Sequence, residues 1–240
     1  MATKLAHLRE ATLAPTLPTA EVGYILLKRV FDVVLALVLI VALAPVMALV
    51  VLAIALDSAG PVVFRQRRVL GDQALGSRRP QDMQFEFYKF RTMHHRSGDG
   101  SHRAYVTQLI NGQAQTEDDS GEKLYKMAHD PRITRVGRIL RKTSLDELPQ
   151  LFNILAGEMT FVGPRPALPY EVEQYKPWHM SRLTVPQGLT GMWQVMGRNQ
   201  LCFDEMVQLD IEYARRRSIW LDAKIILATI PAVILGRGVC

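Results

Sequence analysis

Between Val33 and Leu56 the chain offers no charged or strongly polar side chain, and a proline, Pro45, stands at the centre of that run. As a helix rising 1.5 Å per residue, the run reaches roughly 36 Å, enough to cross a bilayer core of about 30 Å. A buried helix in a soluble core rarely stays apolar for so long. A cleaved leader fits poorly, because the run is too long, starts too late and lacks a clear small-residue cleavage site. Lys28 and Arg29 flank one end, and Arg65, Arg67 and Arg68 flank the other. Basic flanks prefer the cytoplasm, so both ends ask for the same side of the membrane. Pro45 cannot donate to the carbonyl of Val41, and each half on its own is about as deep as one leaflet. Two arrangements follow: a helix that dips in, breaks at Ala44-Pro45 and returns, or a kinked helix that spans. These features leave both open.

The formal charge of +6 suits an acidic partner, whether nucleic acid, anionic lipid or a phosphorylated substrate. The two cysteines, Cys202 and Cys240, sit in no CxxC or Cys/His cluster, so a structural disulfide or zinc site is not expected and a reducing compartment fits. Three regions are expected: a loose tail over 1–20, the membrane segment over 21–59 and a cytoplasmic domain over 60–240. Pro61-Val-Val-Phe and Phe85 to Arg91 read as two short strands around a turn-rich loop containing Gly71 and Gly76. His94 to Lys126 reads as a polar, mobile excursion, and its Glu117-Asp118-Asp119 run as a solvated loop rather than a metal site. Helical periodicity covers Ile133–Leu140, Leu145–Leu155, Tyr170–Met180, Asp204–Arg217 and Leu221–Leu235. The last of these contains Pro231 and an apolar run too short to span, which suits an interfacial or core helix. No GxGxxG, GxxxxGK[ST], HExxH or RNA-binding aromatic motif occurs.

The chemistry-bearing stretch is Arg138 to Asn153. Ser144 followed by Glu147 reads as a capping box, with Asp146 in the first helical turn. Capping explains the acids but not Arg138, Arg141 and Lys142 just upstream, because cations beside a helix N-terminus are unfavourable unless an anion lies between them. A phosphate satisfies both. An acid pair beside it could hold a divalent cation and attack phosphorus. On this reading the helix N-terminus and the basic residues keep Asp146 ionised. Arg165, between Pro164 and Pro166, is pre-aimed for a phosphate or planar base; taken alone, a rigid surface turn with a solvated arginine explains it better. In Gly188 to Asn199 the glycines permit tight turns, and Trp193 reads as packing.

Taken together, KFRTM (Lys89 to Met93), DPRITRVGRILRKTSLDELPQLFNIL (Asp130 to Leu155), FVGPRP (Phe161 to Pro166) and GLTGMWQVMGRN (Gly188 to Asn199) resemble the bacterial sugar transferases, the monotopic polyprenol-phosphate phosphoglycosyl transferases. The likeness runs from about Lys28 to the C-terminus. It implies a helix-rich α+β fold: a monotopic membrane protein with a proline-broken re-entrant helix (the break at Ala44 and Pro45), a small β-hairpin and interfacial amphipathic helices. It implies an active site on the cytoplasmic face of the bacterial inner membrane, with Asp146 as nucleophile, Glu147 as its dyad partner and Mg²⁺ held by the two. Lys89 matches a family active-site lysine, Arg141 a phosphate-contacting arginine and Arg165 the arginine of a uridine-site motif. Arg138, Arg91, Pro164 and Pro166 complete the substrate-binding expectation.

The implied reaction moves a hexose 1-phosphate from a UDP-sugar to undecaprenyl phosphate through a phosphosugar-aspartyl intermediate, with release of UMP. That would be the first membrane step in assembling an exopolysaccharide or O-antigen. Membrane lipid is the implied partner, nucleic acid is not, and a homodimer stays open. The alternatives are a non-catalytic membrane-anchored binder of anionic lipid or nucleic acid, and a transferase of the same family specific for an N-acetylated sugar. An ordinary glycosyltransferase would release UDP and show alternating strands and helices. Two departures stand out. Gln187 occupies the place of the family's usual proline before Gly-Leu-Thr-Gly, which bears on loop shape. The stretch from about Arg96 to Lys126 is longer than in compact members.

Overall fold

The computed structural model describes residues 19–71, 83–95, 100–112, 116–117, 123–124, 130–196 and 201–234. The expected tail therefore lies outside the described residues except for Thr19 and Ala20, which open the first helix. Gly76, Asp118, Asp119, Gly197 to Asn199 and Cys240 also lie outside.

Helix α1 spans Thr19–Asp57, 39 residues, with Pro45 inside it. Helical residues continue on both sides of Ala44 and Pro45: a proline withdraws one donor, and the turns before and after it persist. Both halves of α1 pack on the same domain. In the first half, Ala36 is sealed in the main core with Leu151, Ile154 and Ile225. In the second half, Val50 and Ile54 pack on Phe90 and Leu140. Between Ala36 and Val50 no residue is buried, and Val41 and Leu49 are 75% and 67% exposed. Among the described residues nothing covers the apolar surface around the proline, as expected of a segment solvated by lipid.

The chain leaves α1 into an antiparallel hairpin of β1 (Val63–Val69) and β2 (Gln84–Phe90), in register from Val63 opposite Phe90 to Val69 opposite Gln84. Phe85 and Phe87 of β2 face the core while Gln84 and Glu86 face out, the alternation a half-covered sheet requires. Helix α2 (Gly100–Ile110) follows, then the two-residue strands β3 (Thr116–Glu117) and β4 (Lys123–Leu124). The expectation of a structureless excursion over His94 to Lys126 is corrected here. Val106 and Ile110, one helical turn apart, pack on Phe203 and Val207 and give α2 a reason to form.

Helix α3 (Arg135–Thr143) is capped by Thr134, whose hydroxyl accepts from Gly137 N–H. It presents Arg135, Arg138, Ile139 and Lys142 outward, with Ile139 62% exposed, and buries Gly137 and Leu140. The single helix expected over Leu145–Leu155 divides at Pro149 into a 3-10 turn, Leu145–Glu147, and helix α4 (Gln150–Ala156). Strand β5 (Thr160–Val162) comes next, and after it the helix expected over Tyr170–Met180 divides at Pro177 into α5 (Pro169–Val172) and a 3-10 stretch, Pro177–Leu183. β6 (Gly188–Thr190) pairs in parallel with β5, Thr160 opposite Gly188 and Val162 opposite Thr190. Gly163 and Gly188 lie against each other so closely that a Cβ on either would overlap the other's backbone. Helices α6 (Met192–Met196), α7 (Phe203–Arg216) and α8 (Ile219–Ile234) complete the fold. Along α8, Trp220, Leu227 and Ile230 stand 70%, 65% and 52% exposed, a further apolar face without cover.

Candidate active site

The 3-10 turn that carries the acids is set by Ser144. Its φ of 57° and ψ of 15° make it the only non-glycine residue with positive φ among the described residues. Ser144 ends α3, its N–H donating to Arg141 O at 3.3 Å, and its side chain caps nothing. The expected capping box is therefore corrected: Ser144 is the corner between α3 and the acid-bearing turn, and Glu147 N–H bonds its carbonyl at 3.1 Å. A non-glycine residue is held in this region only where its surroundings over-determine it. Here the corner lets the chain reverse from the basic end of α3 into the acids within three residues.

Lys89, from β2, reaches across to both acids. Its Nζ lies 2.9 Å from Glu147 Oε1 and 3.4 Å from Asp146 Oδ2. Arg165 Nη1 approaches Glu147 Oε1 at 3.6 Å. Burial pushes the Glu147 carboxyl up, but Lys89 and Arg165 outweigh it and hold the group at about 2. Asp146 behaves oppositely. Burial raises its carboxyl above the ordinary range, with the Glu147 charge adding to the rise, while Lys89 and Arg141 pull it down. The basic residues favour the ionised form of Asp146, as the sequence reading had it, but burial works against them and no helix N-terminus lies beside it. Asp146 belongs to a 3-10 turn separated from α4 by Leu148 and Pro149, and its side chain is only 9% exposed.

The structure brings together Asp146, Glu147, Lys89 and Arg165, with the charge of Arg141 felt at Asp146. It leaves Arg138 on the exposed face of α3. Arg91 is corrected. It is buried, and its guanidinium donates to Pro61 O at 2.7 Å and to Ser58 O and Oγ at 2.5 and 3.1 Å, tying the exit of α1 to the end of β2. Pro164 and Pro166 are buried and work through their carbonyls: Pro164 O accepts from Gly188 N–H at 2.8 Å, and Pro166 O from Arg68 Nη1 at 2.8 Å. Arg68 is the residue the sequence reading missed, counted there only as a membrane flank. It is buried, lies over the Phe87 ring at 5.1 Å, and with Val69 N–H, which donates to Ala167 O at 2.9 Å, fixes the Pro-Arg-Pro turn to β1. Gln187 is fully buried, its Nε2 donating to Val185 O at 3.1 Å, while its backbone carbonyl accepts from Thr160 N–H at 2.9 Å. The substitution leaves the β5–β6 pairing in register.

Among the described residues no cluster of three metal-ligating side chains occurs. Mg²⁺ is commonly held by one or two carboxylates together with substrate phosphates, so the adjacent carboxylates of Asp146 and Glu147 fit such an ion on the donor's own diphosphate.

A buried pair of carboxylates beside lysine and arginine, in a domain that carries a long uncovered apolar helix, is a setting suited to a membrane-associated phosphoryl-transfer enzyme. Residues 23–236 match the family model described as bacterial sugar transferase, and the chain belongs to that family. It is 38% identical over 211 residues to the exopolysaccharide production protein ExoY of Rhizobium meliloti, covering 88% of this chain and 87% of that one. It is 39% identical over 231 residues to the UDP-glucose:undecaprenyl-phosphate glucose-1-phosphate transferase of Caulobacter vibrioides, covering 93% and 75%. Against the galactosyl transferase CpsE of Streptococcus agalactiae the identity is 41% over 180 residues, 75% of this chain but only 36% of that longer protein.

Proposed function

We propose that this chain transfers a hexose 1-phosphate from a UDP-hexose to undecaprenyl phosphate, the membrane step that begins an exopolysaccharide or related glycan. The observation that carries the reading is the placement of Asp146: buried, beside Glu147, and within 3.4 Å of the Lys89 ammonium.

The steps follow from these groups. An Asp146 carboxylate oxygen attacks the β-phosphorus of the UDP-sugar. The new P–O bond forms as the bond to the bridging oxygen breaks, and UMP leaves with that electron pair. A phosphate oxygen of undecaprenyl phosphate then attacks the same phosphorus, frees the Asp146 carboxylate and yields the lipid diphosphate sugar. Splitting the transfer in two lets the soluble donor and the lipid acceptor use one site in turn. Lys89, Arg141 and Arg165 offset charge on the phosphoryl oxygens. Mg²⁺ held by Asp146 and Glu147 would supply further charge neutralisation on the donor diphosphate.

Topology is part of the reading. Lys28, Arg29 and Asp32 at one end of α1, and Asp57 at the other, all bond to the same domain. The apolar middle of α1 is uncovered. This supports a helix that dips into the inner leaflet and returns, with the domain on the cytoplasmic face of the inner membrane.

The test is UMP release from UDP-glucose or UDP-galactose with undecaprenyl phosphate present. The wild type should release UMP, and Asp146→Asn should fold and insert yet lose nearly all turnover. Incubation with donor alone should leave a hexose-phosphate adduct on the peptide holding Asp146. Release of UDP, or full turnover by Asp146→Asn, refutes the reading.

A further inference from the structure

β2 pairs with β1 along one edge only, and its other edge meets a side chain. The carboxamide of Asn153, in α4, accepts from the Tyr88 N–H through Oδ1 at 3.1 Å and donates through Nδ2 to the Glu86 carbonyl at 2.6 Å. The second Nδ2 hydrogen goes to Glu158 Oε2 at 2.7 Å. Residues i and i+2 of a strand share an edge, so the amide engages Glu86 and Tyr88 as a neighbouring strand's backbone would. Only asparagine or glutamine offers a donor pair and an acceptor on one planar group, and here three of those bonds are made on a side chain with no exposed surface. The carboxylate of Glu158 gives the third bond the strength of a charged acceptor.

The location matters more than the count. Tyr88 immediately precedes Lys89, and α4 begins three residues after Glu147. The Asn153 clamp thus ties the backbone of the strand that delivers the ammonium to the helix that follows both acids, independently of the Lys89 bonds themselves. We propose that Asn153 is a positioning residue of the transferase site, holding α4 on the free edge of β2 so that Lys89 keeps its distance to Asp146 and Glu147. The assignment rests on the transferase reading above.

A purely structural asparagine would make the same bonds, so the test must separate the roles. Single-turnover formation of the phosphosugar adduct is measured for the wild type, Asn153→Asp, Lys89→Met and the double variant, each purified in detergent as the full chain. Aspartate loses both donors and sets a carboxylate against Glu158 and the Glu86 carbonyl. The adduct rate per folded molecule should fall about 10- to 100-fold, the range expected when a catalytic group is displaced by about an ångström, with little change in KM for the UDP-sugar. In the Lys89→Met background the same substitution should add little, because the distance it protects no longer matters. Should Asn153→Asp not fold, Asn153→Gln keeps the amide and moves it out by one methylene. It should show a smaller loss with the same non-additivity. Additive losses in the cycle, or a lowered Tm with an unchanged adduct rate, overturn the assignment. A wild type that forms no adduct overturns the transferase reading itself, and this assignment with it.

Discussion

Lys28, in the first half of α1, lies 2.7 Å from Asp222 in the first turn of α8, and the two side chains are only 10% and 5% exposed. Asp222 also accepts from the hydroxyls of Tyr24 and Tyr213, at 3.1 and 2.8 Å. Arg29, the next residue along, donates to the carbonyls of Ile154 and Leu155 at 2.5 and 2.8 Å. Two elements nearly two hundred positions apart in the chain are thus registered by charge at the point where α1 meets the domain. A buried pair of this kind contributes little net stability, but removing one partner costs about 3–5 kcal/mol, because the other charge is left dry and unmatched.

Asp222→Asn should therefore release the first half of α1 from the domain. A cysteine placed before Lys28 should be protected from periplasmic labelling in the wild type and should become labelled in a fraction of Asp222→Asn molecules. The swap Lys28→Asp with Asp222→Lys should restore protection. A tail labelled equally in all three would sink the re-entrant arrangement and favour a spanning helix.

Arg91 makes a contrasting case, since the sequence placed it among substrate ligands and the structure places it at the α1–β1 junction. Arg91→Met strands the carbonyls of Ser58 and Pro61. Each buried group left unpaired costs about 1–3 kcal/mol, so the melting temperature should drop while KM for the UDP-sugar holds. A large rise in KM at unchanged stability would return Arg91 to the substrate site.

Arg68 gives the converse prediction. Its two terminal nitrogens bond Pro166 O and Gln66 Oε1 at once, with the plane over Phe87. A lysine keeps the charge but not the fork. Arg68→Lys should leave the Pro-Arg-Pro turn loose and misplace Arg165, lowering kcat/KM about tenfold or more. Unchanged kinetics would show that Arg165 is held without it.

What the sequence made legible were features written in consecutive residues. The apolar run, the hairpin strands and the Asp146–Glu147 pair all follow from local pattern or motif. The errors share a physical cause, which is competition between local and tertiary preferences. Ser144 and Glu147 have the spacing of a capping box, yet Pro149 forces the helix to begin later, and the serine becomes a left-handed corner instead. Helix α2 sits in a polar stretch whose few apolar residues find partners in α7 and around Tyr170 and Tyr175, far along the chain. Arg68, Asn153 and Asp222 act through contacts with distant backbone or charge, which no window of neighbouring residues displays.

The two acids of the site make opposite demands on the fold. Glu147 is held at about 2, below the ordinary value for its type, so its contribution to stability is present above the unfolded-state value and lost as pH falls through about 2. Asp146 is raised by burial first, so its contribution is present below the unfolded-state value and lost as pH rises through the folded one. The ionised form, in which a carboxylate is a competent nucleophile, is thus the form that burial disfavours and Lys89 supports. Asp146→Asn removes that charge while keeping the shape. It should melt at a higher temperature than the wild type at pH 7 and lose nearly all transfer, the trade expected of a residue kept for chemistry rather than for folding. Lys89→Met acts in the other direction, since it deletes the principal group pulling Asp146 down. Its acid limb in the pH profile of kcat should move to higher pH, with a lower rate at neutrality. Melting curves and pH profiles of both variants, taken in the same detergent, check the pair of outcomes. An Asp146→Asn protein that melts lower and still turns over would refute the assignment of Asp146 as the charge the fold tolerates for catalysis.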